Sequence, residues 1–159
     1  MKHYIQGVLV CGVIIFTACD PLRVMDENVD LEEGVWLEDH KPDFEFEIND
    51  AKLKYNVYFN IRNTIGYKYH NLYITYYLLD EEGKQIASEL EEIFLFHPKT
   101  GKPYGSGLGD IFEHQIPILE NQPLEKPGRY TLIIEQYMRS PLSGVISIGA
   151  RVEKNTLAE

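Results

Sequence analysis

Nucleophiles, acid–base groups and metal ligands are present in this sequence, but few stand where they could work together. Its two cysteines, Cys11 and Cys19, both lie near the N-terminus, so no disulfide can staple the rest of the chain. His3, His40, His70, His97 and His114 are far apart and lack metal-ligand spacing. Asp80-Glu81-Glu82-Gly83 lacks the alternating ligand order of a calcium loop and reads as a turn. Serines are few, and none occupies a nucleophile elbow. Glu45 and Glu47 fall on one solvated strand face, and nothing places two carboxylates about a scissile bond. Gly105-Ser-Gly-Leu-Gly-Asp110 shares glycines with phosphate-cradling loops but not their spacing or the helix that follows. Unusual backbone angles or a close backbone approach account for its glycines, and an exposed loop of this kind can also contact a partner. The sequence therefore predicts neither an enzyme nor a cofactor.

Cys19 is the exception, because its chemistry follows from its position. Met1-Lys2-His3 precedes a thirteen-residue apolar run, Tyr4 to Phe16, broken only by Gln6 and glycines, and then comes Thr17-Ala18-Cys19. This is the charged start, apolar centre and small-residue ending of a secretory signal. The run is too short for a transmembrane helix, which takes about 20 apolar residues. A cysteine directly after a small residue resembles a lipobox, with Phe16 where leucine is commoner. Cys11 follows the bulky Val10 in mid-run and belongs to the apolar centre. Residues 1–18 are thus expected to be a lipoprotein signal peptide, and Cys19 the lipidated first residue of the mature protein. Each acyl chain would contribute about 0.8 kcal/mol per buried CH₂ to the membrane anchor.

The formal net charge is −10, and the leader's one charged residue is Lys2, so the mature chain is more acidic still. Its basic residues are scattered among acidic ones, which excludes a nucleic-acid partner. An anionic bilayer would repel it, so membrane attachment has to come through the lipid. Residues 19–41 carry Asp26, Glu27, Asp30, Glu32, Glu33, Glu38 and Asp39 with few consecutive apolar residues, and read as an acidic tether. Trp36 would mark where this tether docks, or else serve as a ligand platform.

From residue 42 the hydrophobic period becomes two. Phe44, Phe46 and Ile48 alternate with glutamates, and Tyr55, Val57, Phe59 and Ile61 alternate with more polar residues. Leu72–Leu79 is apolar or aromatic on both faces, which suits a central strand. Further strands are expected near 85–90, 91–96, 111–116, 129–137 and 145–153, with a long loop from His97 to Asp110. About eight short strands and no helix predict an all-β fold: one antiparallel β-sandwich over 42–159, immunoglobulin-like or jelly-roll in type. Seven of the eleven tyrosines lie between Tyr55 and Tyr77. Sheet packing explains them, and an exposed platform for protein or glycan is the alternative. Trp36, Tyr67, Tyr69 and Tyr104 are the candidate contacts with a partner or ligand.

Several segments together carry a resemblance: Cys19-Asp20, Arg23-Val24, Asp43-Phe-Glu-Phe46, Tyr55-Asn-Val-Tyr-Phe-Asn-Ile-Arg-Asn-Thr64, Gly105–Asp110, Glu135-Gln-Tyr-Met-Arg139 and Arg151-Val-Glu-Lys154. In their order and spacing, over nearly the whole mature chain, they resemble the gliding motility lipoprotein GldH family, with Met25 where that family often has an aromatic. The resemblance implies a non-catalytic envelope lipoprotein of Bacteroidetes, required for gliding in motile members and linked to type IX secretion. Its implied partners are envelope proteins of that machinery. The residues after Cys19 lack the acidic run associated with surface export in that phylum, which implies an outer-membrane anchor facing the periplasm. A glycan-binding envelope lipoprotein is the alternative.

Overall fold

The computed structural model describes residues 20–156, so the leader and Cys19 lie outside the described residues. The described chain forms strands β1 (Arg23–Asp30), β2 (Val35–Trp36), β3 (Asp43–Ile48), β4 (Lys54–Thr64), β5 (Asn71–Leu79) and β6 (Gln85–Phe94). After these come β7 (Ser106–Leu108), β8 (Ile111–Pro123), β9 (Gly128–Gln136), β10 (Leu142–Ser143) and β11 (Val145–Asn155). One sheet has the order β1-β11-β4-β8-β7 and the other β3-β9-β5-β6, while β10 and β2 form a small clip. All pairings are antiparallel. The expected all-β sandwich is therefore what the chain builds.

Period-two patterning builds the core. Phe44, Phe46 and Ile48 of β3 point inward between exposed Asp43, Glu45 and Glu47, so the two glutamates do share the solvated face. Tyr55, Val57, Phe59 and Ile61 of β4 are buried alongside Ile148, Ala150 and Val152 of β11. Opposite them lie Leu72, Ile74, Tyr76 and Leu78 of β5 with Leu132 and Ile134 of β9. Strand β5 is interior, as its two-faced apolarity predicts.

The acidic tether is a correction. Residues 23–30 are not a spacer but an edge strand of the larger sheet, registered on β11 from Arg23↔Glu153 to Asp30↔Ser147. Met25 is buried, and Val24, Val29 and Leu31 pack against the core. The acids stay on the exposed side, where like charges at an open edge deter pairing with other chains. A register shift between Arg23 and Met25 breaks the alternation that would have revealed the strand. Three boundaries also differ from expectation. One long strand, β6, replaces the two expected over 85–96, β8 runs on to Pro123, and the His97–Asp110 loop contains β7. Gly105 and Gly107 explain that last element. A Cβ on Gly107 would strike the carbonyl of Ile111, and one on Gly105 the carbonyl of Glu113 and the ring of His114. Only glycine lets the loop lie this close to β8.

Candidate anchor and contact surfaces

The candidate anchor end is built from the first described residues. Asp20 accepts a hydrogen bond from the Leu22 N–H at 3.1 Å and another from the Arg151 guanidinium. These interactions, the Leu22 N–H foremost, hold its carboxyl below the usual carboxylate range. Arg151 also reaches Asp26 at 2.7 Å and pairs with Glu153. Lys154 N–H donates to Leu22 carbonyl at 2.8 Å, which fixes where the chain enters the sheet. Cys19 is joined by one peptide bond to an aspartate clamped on the fold.

Of the predicted contact residues, Trp36 belongs to the interior, with 0% of its surface exposed. Its ring lies 6.5 Å from that of Phe59, its Nε1–H donates to the His40 carbonyl at 2.8 Å, and its backbone pairs with Leu142. It therefore docks its segment onto the domain and cannot be a ligand platform. Tyr67 is buried too. Its hydroxyl donates to Asn71 carbonyl at 2.9 Å, and burial raises its pKa well above the phenol range. Tyr69 is exposed and meets Tyr67 edge-on at 5.9 Å. Tyr104 is exposed beside His97 at 6.0 Å.

The structure brings Tyr67, Tyr69 and Tyr104 to one pole of the sandwich. Leu95 and Phe96 N–H both donate to His70 carbonyl, and Phe96 stacks on Tyr67 at 6.5 Å and meets Phe112 edge-on at 6.0 Å. Ile65 N–H donates to Asp110 carbonyl at 2.8 Å, joining the loop at 64–70 to the turn after β7. Exposed on this aromatic base are Ile65, Tyr69, Tyr104, Leu108 and Ile111. Sequence reasoning missed Ile65, Leu108 and Ile111. The available signal was Leu108, an apolar residue flanked by Gly107 and Gly109.

The rest of the tyrosine cluster is structural. Tyr55 and Tyr76 are buried, while the Tyr73 and Tyr77 hydroxyls bond to Glu92 and Glu135. Among the described residues the one close ring pair within the cluster, Tyr67 and Tyr69, meets edge-on rather than coplanar. Among the described residues, no three His, Cys, Asp or Glu side chains converge as a metal site. Asp80 Oδ1 instead accepts from the N–H groups of Glu82 and Lys84, as a turn requires.

The sequence profile of the GldH lipoprotein family matches residues 23–152, a span that begins with β1 and ends in β11. The gliding motility lipoprotein GldH homolog of Christiangramia forsetii is 31% identical over 156 residues, covering 93% of this chain and 94% of that one. The gliding motility lipoprotein GldH of Flavobacterium johnsoniae is 26% identical over 157 residues, covering 94% and 96%. Against the solved infectious bursal disease virus VP2 subviral particle, the TM-score is 0.37 at 13% identity, over 82% of this chain and 30% of that one. A likeness that weak carries no argument.

Proposed function

This chain belongs to the GldH lipoprotein family, and from that membership we propose that it is a non-catalytic envelope lipoprotein of the gliding apparatus, acting as a protein-interaction module linked to type IX secretion. Acyl chains on Cys19 hold it to the outer membrane, and the domain faces the periplasm. The observation that carries this reading is the pairing of the family match with a lipobox-like cysteine immediately before the clamped Asp20. Because 23–30 is sheet rather than spacer, the domain sits close against the bilayer instead of standing off it.

Cys19→Ala tests the anchor. The variant should leave the membrane fraction, or accumulate unprocessed, and should lack the acyl mass of the wild type. A variant that keeps both membrane association and that mass overturns the assignment. Crosslinking in cells, followed by mass spectrometry of partners recovered with acylated protein but not with Cys19→Ala, tests the interaction role. Recovery of gliding or secretion components supports it, and their absence alongside retention on a polysaccharide column would favour glycan binding.

A further inference from the structure

The apolar pole stands diagonally opposite the anchor. Strand β4 runs from Lys54 and Tyr55, level with Lys154 and the entry of the chain, to Thr64, paired with Ile111. Nine residues at about 3.3 Å each separate the two ends by roughly 30 Å. Strands β1 and β7 are also the opposite edges of a five-stranded sheet, roughly 19 Å apart at about 4.8 Å per spacing. Lipid and apolar patch therefore occupy far corners.

This placement restricts what can cover the patch. With the signal removed, the one residue before Asp20 is Cys19, held in the bilayer. A membrane held at Cys19 does not reach Leu108, which is 93% exposed, or Ile65, at 62%. The loops bearing the patch, residues 64–70 and 95–110, hold Lys68, Lys99, Lys102, His70 and His97 against the single acid Asp110, in a chain whose net charge is −10. None of those lysines is ion-paired among the described residues. A basic rim around an apolar centre complements an acidic, apolar protein surface and repels another basic one. A second copy would bring the same basic rim, like against like.

We propose that Ile65, Tyr69, Tyr104, Leu108 and Ile111 form the docking face for an envelope protein that presents apolar side chains within an acidic surface. This deepens the interaction-module reading, on which it rests, by naming the face and the chemistry of the partner. The loops are pinned by main-chain hydrogen bonds and the Tyr67–Phe96–Phe112 stack, so the face is preformed and binding orders little. Leu108, the most exposed of the five, serves as the main apolar contact.

The test uses full-length acylated protein in its own envelope, with a photoactivatable residue at Tyr104 on the face or, for comparison, at Asp50 near the anchor or Ser88 on β6. The proposal expects a heteroadduct of one defined mass from Tyr104, its captured peptide rich in acidic and apolar residues, and its yield falling as salt rises. Leu108→Asp should cut that yield about tenfold and Lys102→Glu by a smaller factor, with both variants melting like the wild type. An adduct of the chain with itself, or binding of the delipidated domain to anionic vesicles through this face, would overturn the proposal in favour of a second copy or a membrane. Adducts from Asp50 or Ser88 but not Tyr104 would overturn this face and leave the interaction module standing. No adduct from any position would overturn both.

Discussion

Replacing Trp36 tests whether the acidic N-terminal segment is part of the folded domain. Its side chain is fully buried, stacks on Phe59 and donates to His40 carbonyl. Removing up to about 250 Å² of aromatic surface from water at about 25 cal/mol per Å² is worth roughly 6 kcal/mol gross. Partial collapse around the site lowers the expected cost of Trp36→Ala to about 3–5 kcal/mol. For a domain of about 140 residues, with an unfolding entropy near 2.1 cal/mol/K per residue, 4 kcal/mol lowers Tm by about 14 °C. Trp36→Phe keeps a ring on Phe59 but loses the indole hydrogen bond, and should cost about 1–2 kcal/mol. Urea melts of the soluble domain followed by circular dichroism measure both variants. In the wild type, the emission of this lone tryptophan should shift to the red in the same transition. A cost below about 1 kcal/mol for Trp36→Ala, or a fluorescence transition well ahead of the circular dichroism one, would mean that residues 31–42 hang loosely after all.

Two further predictions concern the larger sheet. A Cβ on Gly149 would strike the Glu27 carbonyl and the Asn28 side chain, so Gly149→Val should destabilise by about 2 kcal/mol or more. It should also accelerate hydrogen exchange of the amides in 23–30 more than elsewhere, and uniform acceleration would refute the stated cause. His114 is buried, with its Nε2 lacking a partner among the described residues, and burial holds its pKa below 6.5. A depressed folded pKa means stability that is present above pH 6.5 and lost as pH falls through the lowered value. Urea midpoints of the wild type should therefore fall between about pH 7 and pH 5 by more than those of His114→Leu, and parallel profiles would refute the assignment.

The sequence made the fold legible where one face meets water and the other the core. Alternation in β3 and β4 is plain because glutamate and asparagine stand opposite phenylalanine and valine. It failed at the edges of the larger sheet. An edge strand needs few inward residues and tolerates many acids, so β1 looks like a spacer in composition while Met25 and Val29 seat it on the core. Strand β7 hides in glycines, whose purpose is the closeness of β8 rather than flexibility. The apolar pole could not be found in the sequence, since Ile65 joins Tyr104 and Leu108 only when two separate loops converge.

Among the described residues, the first strand in chain order, β1, pairs with the last, β11. Chain order therefore sets the order of assembly. While the chain is emerging N-terminus first, residues 23–30 lack their partner strand, and this edge of the larger sheet cannot close until residues 145–155 arrive. Deleting β11 would leave β1 without its partner and β4 with one edge open.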